Sequence, residues 1–97
     1  MTTQTDVKSV QANSSGLLGI GGANPTLGVR VKGIYWNGTT AGTLTFDDGS
    51  STGTARITLS VPNGTAYLLL PGEGVRFTND VYLTFTTAVG YATVFYG

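Results

Sequence analysis

The chain reads as an all-β protein: a two-layer antiparallel β-sandwich, either a compact jelly roll or Ig-like, with an extended N-terminal arm. Three observations predict this. Apolar and polar residues alternate over short runs, turn residues punctuate those runs at close and fairly even spacing, and no eleven-residue window carries a 3.6-residue apolar period. Fifteen glycines in 97 residues, with threonine abundant throughout, further oppose helix.

The arm comes first. Residues 1–24 are small and polar, with Val7, Val10 and the patch Leu17-Leu18-Gly19-Ile20 as their apolar anchors. Alone, such a segment buries too little to repay its ordering entropy. The sandwich domain is expected over 25–97, with seven strands in the body and an eighth if Val7 to Ala12 joins.

Strict alternation places every second side chain on one face of a strand. Leu27 to Trp36 then carries Val29, Val31 and Tyr35 on one side and Arg30, Lys32, Ile34 and Trp36 on the other. Gly42 to Asp47 turns Leu44 and Phe46 inward. Ala55 to Val61 does the same with Ile57, Leu59 and Val61. Ala66 to Leu70 is apolar on both faces, so it is expected to be central or to be covered by something else. Val75 to Thr78 and Val81 to Thr86 bury Val75, Phe77, Val81, Leu83 and Phe85, and Tyr91 to Tyr96 closes the sheet. Turns are expected at Asn37-Gly38, Asp48-Gly49, Asn63-Gly64 and Pro71-Gly72, dipeptides that supply the positive φ tight turns need.

Composition excludes several functions. A chain of this length holds one domain. Five Lys and Arg balance five Asp and Glu with no basic run, which removes the counterion-release term behind nucleic-acid binding. The longest apolar runs, Tyr67 to Leu70 and Ile34 to Trp36, are far shorter than the roughly 20 residues of a membrane-spanning helix, so no membrane is expected as partner. Met1 to Asp6 shows neither a basic n-region nor an apolar h-region, and the expected setting is a cytoplasm. With no cysteine, the fold must be held by its core, by its partners, or by both.

Chemistry has little to work with. Without His or Cys the commonest general base and the strongest nucleophile are missing. Asp47 and Asp48 with Glu73 or Asp80 would be the one carboxylate pairing open to glycosidase-type catalysis. Their place at hairpin tips and glycine-flanked turns argues for structure instead, and no enzyme is expected. Asp47, Asp48 and Ser50 resemble the start of a calcium loop, but no bidentate Glu follows at the required distance. Gly16, Gly19, Gly21 and Gly22 lack the Lys-Ser/Thr of a phosphate loop. No cofactor or metal is expected. The Asn-x-Ser/Thr sequons at Asn13, Asn37 and Asn63 read as turn chemistry.

The surface carries the stronger signal. Charged residues make up 10% of the chain, and none falls between Gly33 and Phe46, so a lone monomer would show a weakly charged exterior with apolar strips. That suits a domain packed against copies of itself or against a larger particle. Val7, Val10, Leu17, Leu18, Ile20, Trp36, Tyr67, Leu69, Tyr91 and Tyr96 are the candidate interface residues. Arg30, Lys32, Arg56 and Arg76 are candidates for polar contacts to a shell, or to Asp47, Asp48 and Glu73 of a neighbour. A carbohydrate-binding module, with aromatic residues such as Trp36 as stacking platform, is the binding alternative.

Particular stretches carry a resemblance. Val29-Arg30-Val31-Lys32-Gly33-Ile34-Tyr35, the Asp47-Asp48-Gly49 tip, Leu70-Pro71-Gly72-Glu73-Gly74-Val75, Asn79-Asp80-Val81-Tyr82 and the closing Val94-Phe95-Tyr96-Gly97 resemble small virion proteins of tailed bacteriophages, over residues 27–97. The resemblance implies a β-sandwich structural protein of the virion, assembled in the host cytoplasm. It further implies a capsid decoration or cement protein that caps the shell as a homotrimer, with itself and the major capsid protein as partners. A place in the tail, collar or fibre is the alternative within the same resemblance.

Overall fold

The computed structural model describes residues 8–20, 29–70, 72, 74–78 and 80–97. Among these residues, nine strands run in the order β1 (Lys8–Ala12), β2 (Gly16–Leu17), β3 (Val29–Thr40), β4 (Gly42–Asp48), β5 (Ala55–Val61), β6 (Gly64–Leu69), β7 (Val75–Phe77), β8 (Val81–Thr86) and β9 (Val89–Tyr96). They form two antiparallel sheets packed as a sandwich. The first has the order β1-β9-β3-β6 with β7 also on β3, and the second the order β2-β8-β4-β5. Pairings nest from the termini inward, with β1 on β9, β2 on β8, β3 on β6 and β4 on β5. This is jelly-roll connectivity, and it decides between the two topologies that alternation alone leaves open.

The core follows the expected pattern in most strands. Leu44 and Phe46, Ile57 and Val61, and Phe77, Val81 and Leu83 are buried between the layers, with Leu59, Val75 and Phe85 packed against them. Strand β3 departs from it. Val29 and Val31 face the core, and so do Ile34 and Trp36, while Tyr35 is exposed. The reason is a β-bulge: Val31 pairs with Tyr96 and Gly33 with Phe95, which leaves Lys32 as an extra residue that reverses the inward phase.

Trp36 fills the centre, with no exposed surface. Its ring centroid lies 6.1 Å from that of Phe85, and its Nε1–H donates to the Pro62 carbonyl at 2.8 Å. Its indole also explains why Asn37-Gly38 is no turn. Gly38 lies within β3, paired with Gly64 and Gly90, and a Cβ there would sit 2.1 Å from the Trp36 ring. The glycine makes room for a side chain, and the chain reverses later, around Ala41.

Of the expected turn at Pro71-Gly72, Pro71 lies outside the described residues, and Gly72 is a turn residue with φ +61°. Both β6 and β7 pair antiparallel with β3, at Gly33 to Gly38 and at Val29 to Val31 respectively, so the strand resumes its direction after residue 74. Gly74 has φ +87°, and a Cβ there would meet the Val31 carbonyl at 2.2 Å.

Residues 8–20 also differ from a free arm. β1 adds to the first sheet and β2 to the second, so this stretch crosses from one layer to the other at its edge. Val10, Ala12, Leu18 and Ile20 pack against the core. Leu18 N–H donates to the Val81 carbonyl at 2.9 Å, and the Asp80 carboxylate accepts from Gly19 N–H and Ile20 N–H, both at 3.0 Å. Residues 8–20 therefore share one core with the sandwich, and the expected boundary at residue 24 lies outside the described residues.

Candidate functional site

The two outer faces of the sandwich have different chemistry. On the second sheet, Thr43 stands opposite Ser60 and Thr86, and Thr45 opposite Thr58 and Thr84, so hydroxyls form two rows across three strands. On the first sheet the bulge turns an aromatic set outward. Tyr35 lies opposite Tyr67 and Thr93, Gly33 opposite Leu69 and Phe95, and Asn37 opposite Tyr91. Tyr35 is 40% exposed, Tyr91 50%, Tyr67 59% and Leu69 71%.

At one end of this face lies a shallow groove of about 300 Å³, lined by Lys32, Gly33, Tyr67, Leu69, Leu70, Gly72 and Phe95. Gly33 is its floor. The Tyr67 and Phe95 rings meet edge-on above that floor, 6.4 Å between centroids, and a Cβ on Gly33 would lie 3.4 Å from the Tyr67 hydroxyl. Charge is sorted between the sheets as well. The strands of the first sheet carry Lys8, Arg30, Lys32 and Arg76 and no carboxylate, whereas those of the second carry Asp47, Asp48 and Arg56.

The sequence candidates separate on this frame. Tyr67, Leu69 and Tyr91 lie together on the aromatic face, and Leu17 is exposed on β2. Val10, Leu18, Ile20 and Tyr96 are half-buried against the core, and Val7 lies outside the described residues. Trp36 is enclosed within the chain, so it offers no ring to a sugar or to a neighbour. Tyr35 and Phe95 complete the face that sequence reasoning missed. The signal was Gly33, because a glycine inside a strand pattern often marks a bulge.

Asp48 and Asp80 serve the fold, and Glu73 lies outside the described residues. Asp48 accepts from Thr78 N–H at 3.0 Å, from the Thr78 hydroxyl at 2.8 Å and from Arg56 Nη2 at 3.2 Å. The Arg56 contact is thus made within the chain, whereas the sequence left open a neighbour's carboxylate. Asp80 binds three backbone N–H groups, those of Gly19, Ile20 and Val81. Ser50 Oγ engages Thr52. Among the described residues no three His, Cys, Asp or Glu side chains gather at a point. What the described residues do offer is a surface for stacking, apolar contact and long-range charge.

No family model, curated protein or solved structure matches the chain.

Proposed function

We propose that the protein is a structural component of a tailed-phage virion, a decoration or cement protein that attaches to the assembled outer shell and stabilises it. The observation that carries this reading is the aromatic face of the first sheet. Four large apolar or aromatic side chains, Tyr35, Tyr67, Leu69 and Tyr91, are exposed together there on strands without a carboxylate. Such a patch on a small domain marks an interaction surface. Lys8 and Arg30 in the same sheet favour a partner that is acidic as well as apolar, such as a shell protein. Attachment to the assembled shell alone would stabilise it by mass action, without any chemistry.

The test is copy number. A shell-wide protein is present in purified particles at a stoichiometry comparable to the major capsid protein, and density maps place it on the outer surface. A scarce protein confined to the tail, collar or fibre overturns the decoration reading and keeps the virion one. Absence from particles removes both.

The exposed tyrosines and the groove beside Tyr67 also favour a second reading, a carbohydrate-binding surface. Binding on a glycan array that is lost in Tyr67→Ala would support it. Trp36→Ala, the variant suggested by the sequence, would test only the core.

A further inference from the structure

We propose that the protein forms a two-fold dimer by pairing β6 with β6 of a second copy, joining their first sheets into one continuous sheet. The inference starts from the sheet edges. An edge strand exposes main-chain donors and acceptors, and monomeric proteins blunt it with charge, proline, a bulge or short length. Three of the four edges here carry such a device. β1 begins with Lys8 and carries the polar Ser9 and Gln11, β2 is two residues long, and β5 carries Arg56 at a bulge where Phe46 pairs with Ile57 and Asp47 with Ala55. β7, which continues the fourth edge, has three residues and Arg76. β6 differs from all of them. Its sequence, Gly64-Thr65-Ala66-Tyr67-Leu68-Leu69, has no charge and no proline, and its register with β3 is unbroken. Among the described residues nothing pairs with its outer side.

The phase of the hydrogen bonds fixes which groups point outward. Leu70 N–H donates to the Lys32 carbonyl at 3.1 Å, in the register that sets Gly33 against Leu69. Hydrogen-bonded pairs alternate along an antiparallel ladder, so Ala66 and Leu68 bond to β3 while Thr65, Tyr67 and Leu69 turn their main-chain groups to the open edge. Three outward residues centred on Tyr67 suit a second copy of the same strand. A two-fold axis at Tyr67 sets it against Tyr67 of the second copy and Thr65 against Leu69, satisfying about six main-chain hydrogen bonds. The strand is neutral, so self-pairing meets no charge repulsion, and the two tyrosines become a cross-strand aromatic pair. The axis would also join the aromatic faces of the two copies into one surface. This pairing stands independently of the virion reading, since one is read from mass in solution and the other from particles.

The experiment uses the full chain. Light scattering on the purified protein is expected to give about 20 kDa, twice the 10.0 kDa chain. Tyr67→Lys, which sets two like charges against each other at an exposed position, should halve that mass while the circular dichroism of the sandwich is kept. Leu69→Lys, at a more exposed position still, should weaken the dimer in the same direction. The register is read by single cysteines in a chain that otherwise has none. Tyr67→Cys places the two Cα atoms about 5.5 Å apart, within disulfide reach, whereas Thr65→Cys places them about 14 Å apart. Oxidation should link the first and leave the second single. A wild-type mass of one chain, a mass of three chains, an unchanged mass in Tyr67→Lys, or linkage of Thr65→Cys as readily as Tyr67→Cys would each overturn the pairing.

Discussion

Asp80 is the clasp between the N-terminal segment and the body of the sandwich, and removing its carboxylate tests whether that segment belongs to the fold. Its Oδ2 accepts from Gly19 N–H and its Oδ1 from Ile20 N–H and from Val81 N–H. The first two bonds span 61 and 60 residues of sequence, so they tie the crossover segment to the start of β8. A hydrogen bond to a charged group contributes about 1.5–3 kcal/mol, and water can replace part of it at a half-buried site. Asp80→Ala should therefore lower the opening free energy of residues 18–20 by about 2–4 kcal/mol. The lower figure is about a 30-fold faster amide exchange, from 1.36 kcal/mol per tenfold.

Native-state hydrogen exchange reads this directly at Leu18, whose N–H bonds to Val81 O, and at Gly19 and Ile20. Asp80→Asn keeps one carbonyl oxygen and should fall between wild type and alanine. Exchange at these three amides within threefold of wild type in Asp80→Ala would refute the clasp. It would return residues 8–20 to the status of a loosely attached arm.

Four further outcomes follow from the same contacts. Trp36→Ala should cost about 3–5 kcal/mol, a large share of a small domain's stability, and Trp36→Phe should cost less while still losing the bond to Pro62; urea titration measures both. Asp48→Ala should cost about 2 kcal/mol, because Thr78 loses the acceptor of two bonds, while Arg56→Ala at the exposed end of the pair should stay within about 0.5 kcal/mol, as thermal melts would show. Deleting residues 1–23 removes β1 and β2 and should leave the remainder unfolded or aggregating by circular dichroism and light scattering. If the first sheet's cations steer attachment to a shell, particle binding should weaken as salt rises from about 0.1 M to 1 M, where the screening length falls from about 10 Å to 3 Å; a sedimentation assay checks this.

How much of this was legible in the sequence depended on whether a strand kept one phase. β4, β5 and β8 do so across their inward residues, and Leu44, Phe46, Ile57, Val61, Val81 and Leu83 could be assigned to the core by alternation alone. β3 shifts phase at Lys32, so a single alternation read through it sends Ile34 and Trp36 to the wrong face. Asn37-Gly38 has the composition of a turn, but Gly38 is there to accommodate an indole two residues away, a tertiary demand invisible locally. Gly72 was recognisable as a turn residue. That the strand resumes the same direction after it depends on β3 as the shared partner. The aromatic face was partly legible, because Ala66 to Leu70 is apolar on both sides. The structure places that strand at an edge, so its second apolar side meets no other strand of the described chain.

The apolar character of that side is not a by-product of the core. Ala66 and Leu68 of β6, with Leu70 just beyond it, already serve the interior, and the centre is closed by Trp36, Phe46, Phe77 and Leu83. At 59% and 71% exposure, Tyr67 and Leu69 add little to the monomer that a threonine would not, and the hydroxyl rows of the second sheet demonstrate that such an outer face is compatible with this fold. On the reading proposed above, what distinguishes the first sheet acts beyond the single chain. A sugar platform and a strand-paired dimer make different demands on Tyr67. Stacking needs its ring free, whereas pairing uses its main chain and sets two such rings side by side. Tyr67→Ala separates them: it removes the ring and keeps the main chain of the strand. The dimer should persist in that variant, while a glycan stacked on the ring would be lost.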